Sequence, residues 1–231
     1  MNPISFDVPY EIPRSRLTTF FRLIIVIPWA IWAAIYGIAA LVVVIIAWFA
    51  MLFTGRYPEG MYNFVAGYLR LTTRVYGYAL LLTDELPSFA GGSEPEYPVN
   101  VDVAPPQERY HRAKTFFKWL LYFPQLLIGG YGLVYVATWA AFISWFRILA
   151  TGRQSITMHE ALVGSIAYVV RSNGFILLLT EAHPRMLDVP RYRPPPDAPG
   201  LPPPTQPAPA AEVTAPPPES PPPPAETARP E

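Results

Sequence analysis

Residues 29–53 read Trp29-Ala-Ile-Trp-Ala-Ala-Ile-Tyr-Gly-Ile-Ala-Ala-Leu-Val-Val-Val-Ile-Ile-Ala-Trp-Phe-Ala-Met-Leu-Phe53, 25 residues without a charge. As a helix this stretch is roughly 37 Å long at 1.5 Å per residue. A bilayer crossing needs about 20 such residues. Going outward, only Pro28 interrupts the apolar run back to Leu23. A helix in a soluble protein of this size keeps a polar face, and none is present. Arg14 and Arg16 ahead of the run would suit a secretion signal. The run is too long for a signal's apolar region, however, and a second one occurs in mid-chain. It reads as a retained anchor.

The second run, Trp119–Phe146, belongs to a repeat. Phe20-Phe21-Arg22 recurs as Phe116-Phe117-Lys118, Pro28 as Pro124, and Trp48-Phe49 as Trp145-Phe146. Thr54-Gly55-Arg56 recurs as Thr151-Gly152-Arg153, Arg74 as Arg171, and Leu80-Leu81-Leu82-Thr83-Asp84 as Leu177-Leu178-Leu179-Thr180-Glu181. The offset is 96 early in the unit and 97 later, so one residue is inserted between Pro124 and Trp145. Order and spacing kept over so long a period point to a duplicated supersecondary unit.

Composition excludes several classes. Net charge is zero and no basic stripe with interleaved aromatics occurs, so nucleic acid is not indicated. With no cysteine, disulfides, thiolate metal sites and a cysteine nucleophile are ruled out. No His-Glu-x-x-His spacing, phosphate loop or nucleophile elbow is present, so neither a metal nor a cofactor is expected. From Pro190 the chain is dominated by proline, which predicts a disordered tail with polyproline II character.

Within each unit the elements follow in order. Residues 4–13 and 97–106 alternate weakly and carry proline, as edge strands do; they could pair across the units or be extended linkers. In residues 15–27, Arg16, Thr19 and Arg22 share one helical face, with Leu17, Phe20, Phe21 and Ile24 on the other. That suits a helix at headgroup level, with Pro28 at the bend into the membrane; a continuous kinked helix is the alternative. Lys114, Lys118 and Pro124 repeat the pattern. Main spans at 29–53 and 119–146 end in Trp-Phe, as an interfacial aromatic belt predicts.

The second helices, 61–82 and 158–179, either span or lie on the surface. If they span, only Arg56, Arg147 and Arg153 lie on the far side. If they do not, Arg109, Arg112, Lys114 and Lys118 move there too and the asymmetry nearly vanishes. The positive-inside bias favours spanning. The predicted fold is an all-α integral membrane protein of two tandem hairpins, each with a short amphipathic helix before it. Residues 1–96 form one repeat, 97–189 the other and 190–231 the tail, with both ends cytoplasmic.

The candidate site is a stripe on the second helices. Asn63, Gly67, Arg70, Arg74 and Gly77 fall on one face, matched by Glu160, Gly164, Ala167, Arg171 and Gly174. Small residues there let helices approach closely. A guanidinium at mid-depth costs about 2.5–3.5 kcal/mol without partners. The stripe could bind an anionic lipid or solute through Arg70, Arg74 and Arg171, or its arginines could be structural. Glu160 could pair with Arg171 only through another helix. Asp84 and Glu181 read as helix-end residues, and Gly129-Gly130-Tyr-Gly132 as a packing notch.

The motifs Leu17–Leu23, Ile27-Pro28, Ala47–Gly60, Tyr78–Asp84 and Tyr97–Val103 together resemble a bacterial membrane-protein family, domain of unknown function 4389, over two units covering about residues 4–187. The second unit departs from the Phe-Thr-Gly-Arg-Tyr-Pro-Glu-Gly turn, reading Ala150-Thr-Gly-Arg-Gln-Ser. The resemblance implies a bacterial inner-membrane address and no activity. The expected function is a non-enzymatic scaffold or accessory role, with the tail contacting a protein partner. Anion or lipid handling through the arginines is the alternative, and self-association into a homo-oligomer stays open.

Overall fold

The computed structural model describes residues 4–9, 14–125 and 131–183. The expected tail and the Gly129-Gly130 notch lie outside these residues. Element order is β1 (Ile4–Asp7), α1 (Arg16–Ile25), α2 (Ile27–Thr54), α3 (Glu59–Ala79), β2 (Asn100–Val103), α4 (Arg112–Gln125), α5 (Tyr131–Thr151) and α6 (Ile156–Ile176). The described chain is mostly helical. Two of its helices, Ile27–Thr54 and Gly132–Thr151, are long and apolar enough to cross a membrane.

The all-α expectation needs one amendment. β1 and β2 pair antiparallel, Ile4 opposite Val103 and Asp7 opposite Asn100. Segments 4–13 and 97–106 are therefore partners rather than linkers, although each strand is only four residues long.

Local chemistry accounts for most helix limits. Ser15 opens α1 by accepting the Thr18 N–H, a standard N-cap. Val26 keeps right-handed helical dihedrals. Helical bonds run on from Val26 N–H to the Arg22 carbonyl and from Ala30 N–H to that of Val26. Pro28 has no N–H to give Ile24 and sits in the first turn of α2, where proline is tolerated. In the second half α4 is 14 residues against 10 for α1 and carries Pro124 near its end. Of the expected span 119–146, residues 119–125 lie in α4 and 131–146 in α5.

Helices α2 and α5 stop at glycines with φ of +72°, Gly55 and Gly152, in the left-handed region that glycine enters without steric cost. Helices α3 and α6 stop at leucines. Leu81 and Leu178 have φ of +67° and +65°. The Leu82 N–H returns to the Gly77 carbonyl, and that of Leu179 to Gly174. This is a Schellman closure with leucine where glycine is usual. Both leucines are buried, so the burial of an isobutyl group offsets the backbone cost.

α2 packs along α3, α5 along α6, and α3 against α6. The last pair is antiparallel. Tyr62 in the first turn of α3 donates to the Leu179 carbonyl at 3.3 Å, beyond the end of α6. Gly174 lies against Leu69. The two hairpins are thus inverted relative to each other. Accordingly, the Arg14 N–H meets the Gly152 carbonyl at one end, and the Tyr110 N–H meets the Gly55 carbonyl at the other. The charge count puts each of these pairs on opposite sides; the structure puts them in contact, so that count no longer separates two faces. Between the hairpins, β1 packs on α6 and β2 on α3. Phe6, Val65, Leu69, Val99, Val101, Leu162 and Ile166 join one buried cluster.

Candidate functional site: buried cations and a basic cavity

The amphipathic helices are oriented against the usual rule. In α1, Thr19 and Arg22 are buried, with Arg22 only 1% exposed, while Leu17, Phe20, Phe21 and Ile24 face outward. In α4, Thr115 and Lys118 are buried, and Phe116, Phe117 and Leu120 face outward. Arg22 donates to the carbonyls of Tyr78 and Thr83 and pairs with Asp84. Its guanidinium also lies over the Tyr78 ring. Burial pushes its pKa down, and Asp84 opposes the shift. Lys118 repeats the arrangement, donating to the Thr180 carbonyl at 2.6 Å and lying over the Phe175 ring. Burial brings its pKa down to about 7 against the pull of Glu181.

These contacts recur 96 or 97 positions apart. Trp48 Nε1 donates to the Thr115 carbonyl, and Trp145 Nε1 to that of Thr19. Asp84 accepts the Ser15 N–H, and Glu181 the His111 N–H. Both carboxylates therefore fasten the starts of amphipathic helices. The Thr54 and Thr151 hydroxyls bridge the carbonyls of Ala50 and Arg56, and of Arg147 and Arg153.

The stripe on α3 is filled by the chain itself. Gly67 touches Gly91, and Gly77 touches Val99. Arg74 donates to the carbonyls of Ala90 and Gly92 at 3.2 and 2.6 Å and pairs with Glu94 at 3.1 Å. Gly67 also meets the Tyr36 hydroxyl of α2, so the stripe admits both an extended segment and the neighbouring helix. On α6, Gly174 receives Ile4 of β1, and Arg171 is buried. Arg70 is half-buried and Asn63 exposed. Glu160 is exposed, and no hydrogen bond or ion pair engages it among the described residues, so the structure does not bring it to Arg171. Where the sequence analysis singled out the stripe, the polar interior also includes Arg14, Arg22 and Lys118. The match of Arg22 with Lys118 was the available signal.

The turn motif has a different setting. Gly55 and Arg56 line a cavity of about 640 Å³ with Arg109, Tyr110, His111 and Arg112. At the opposite corner Arg16 lies over Gly152. No group of three or more His, Cys, Asp or Glu able to hold a metal occurs among the described residues.

Residues 16–91 match the family described as Domain of unknown function (DUF4389). The matched stretch runs from the start of α1 to Gly91, the residue that packs on Gly67 of α3. No curated protein and no solved structure matches the chain.

Proposed function

We propose that this chain is a non-enzymatic integral membrane protein, a scaffold or accessory component built from two copies of one unit in inverted orientation. One observation carries the membrane reading: α1 and α4 bury their cations and expose their phenylalanines. In water, rolling either helix by half a turn would bury two rings, each worth roughly 1.5–3 kcal/mol, and return a cation to solvent. The opposite orientation is stable where the surroundings are apolar. α2 agrees, presenting Ile31, Ile35, Ile38, Leu41 and Phe53 outward along about 42 Å of helix.

In this reading α2 and α5 face lipid, and α3 and α6 accompany them back across. In the non-helical segments 87–103 and β1, the side chains of Ile4, Phe6, Tyr97, Val99 and Val101 are buried, while residues 89, 90, 92, 93, 95 and 96 are exposed; backbone at bilayer depth is tolerated where protein covers it. Support for the duplication comes from the matched contacts of Trp48 with Trp145, Asp84 with Glu181 and Gly55 with Gly152. The inversion favours residues 14 and 183 on opposite sides, in place of two cytoplasmic ends. The bacterial inner membrane and tail-mediated contact with a protein partner complete the proposal. Arg74 holds carbonyls and a carboxylate, which favours a structural role for the stripe over anion handling.

Alkaline carbonate extraction tests the membrane reading. The chain should stay with the membrane pellet and leave it only with detergent. Release into the aqueous fraction without detergent would contradict it.

A further inference from the structure

The interior cations have protein partners: Arg22 has Asp84, Arg74 has Glu94, and Lys118 has the Thr180 carbonyl. Arg56, Arg109 and Arg112 differ. They line one cavity of about 640 Å³ at the C-terminal end of α2, together with His111. Among the described residues no hydrogen bond or ion pair engages their side chains. No carboxylate lines the cavity. Glu181 is committed elsewhere, with one oxygen on the His111 N–H and the other facing Lys114 at 3.8 Å. The first turn of α4 holds no acidic residue, so the positive end of that helix adds to the same field.

In a chain with no net charge, three guanidinium groups thus surround one opening, with no ion pair to their side chains among the described residues. Guanidinium forks fit the oxygens of a phosphate two at a time. A cavity of this size falls in the range that accepts small ligands. Phe53, one residue before the lining, is 77% exposed, and Phe116 and Phe117, one turn beyond Arg112, are also exposed. Apolar surface therefore continues from the basic opening along α2 and α4. A free anion has no use for it, whereas acyl chains do. In sequence, Pro13 and Ser15 occupy the first-unit positions that match Arg109 and His111.

We propose that the cavity formed by Arg56, Arg109, His111 and Arg112 binds the phosphate of an anionic phospholipid headgroup. The proposal rests on the membrane reading above and adds a ligand to it. It is tested on the full chain in neutral detergent, with fluorescent phosphatidylglycerol and phosphatidylcholine as probes. The wild type should prefer phosphatidylglycerol by at least about tenfold. The variant Arg56→Gln/Arg109→Gln/Arg112→Gln should bind it roughly a hundredfold more weakly, about fivefold for each charge. Arg16→Gln/Arg153→Gln should bind as the wild type does. Should the triple variant not fold, Arg109→Gln alone should lose about fivefold. Equal binding of the two lipids, unchanged binding by the cavity variants, or equal loss in the Arg16/Arg153 variant would overturn the proposal. Displacement of the lipid probe by inorganic phosphate at equal concentration would make this a free-anion site and overturn the lipid assignment. Carbonate extraction reads the membrane reading separately, since a chain that stays in the membrane without lipid preference fails here alone.

Discussion

The Arg14 N–H donates to the Gly152 carbonyl at 3.2 Å, joining the start of α1 to the far end of α5. The matching bond, Tyr110 N–H to the Gly55 carbonyl at 2.9 Å, joins the start of α4 to the end of α2. Each amphipathic helix thus begins on the turn that ends the other half's long apolar helix. Both turns depend on a left-handed glycine. Gly55→Val and Gly152→Val should each destabilise the chain by about 1–2 kcal/mol, the cost of a left-handed L-residue. Gly60→Ala should be neutral or slightly stabilising, since nothing lies within 4 Å of the added carbon. Thermal unfolding in detergent reads all three.

Gly91 backs directly onto Gly67. A Cβ on Gly91 would come within 2.8–2.9 Å of Gly67 backbone atoms, and backbone does not give way as a flexible side chain does. Gly91→Val should cost about 1–3 kcal/mol or more and raise protease sensitivity between residues 84 and 99. Gly92→Val, one residue on with open space around it, should do neither.

Asp84 holds two elements at once, the Arg22 guanidinium and the Ser15 N–H. Arg22 is buried, so Asp84→Ala leaves an uncompensated charge inside. That should cost about 3–5 kcal/mol. Asp84→Glu should recover part of the loss, measured by unfolding in detergent. Full stability of Asp84→Ala would remove this ion pair from the account.

Lys118 gives a pH dependence of defined sign. Its folded pKa is brought down to about 7, while in the unfolded chain a lysine titrates near ~10.4. Between these values the unfolded state holds a proton that the folded state lacks, so stability rises with pH across the window. Below about pH 7 the folded lysine is charged as well and the gain is absent. Unfolding at pH 6 and pH 9 should show wild type gaining on Lys118→Met at the higher pH. A wild type that loses ground instead would contradict the burial argument.

The long helices were legible because apolar length is a one-dimensional property: the predicted span 29–53 lies within α2 at 27–54. The ends of α3 and α6 were not. The predicted 61–82 overran Ala79 because Leu80-Leu81-Leu82 contains no stop residue, and Leu81 turns left-handed only because its side chain is buried. The relative orientation of the hairpins was also hidden. It depends on α3 crossing α6 and on a linker that runs along α3, neither of which the repeat spacing encodes. The glycine stripe was expected to let helices approach closely; Gly67 meets Tyr36 of α2 as well as Gly91, and Gly77 meets Val99. Arg56 was singled out. Arg109 and Arg112 were not, because they join it only in the folded chain, where Tyr110 and Arg112 lie against Gly55.

The inverted arrangement makes one direct prediction. Gly60 sits at the start of α3 and Ser155 at the start of α6, and the antiparallel crossing puts these positions at opposite ends. The chain has no cysteine, so Gly60→Cys and Ser155→Cys can be labelled without background by a membrane-impermeant maleimide on intact and inverted vesicles. The account predicts that the two positions react from opposite sides of the membrane. Reaction of both from the same side would contradict it.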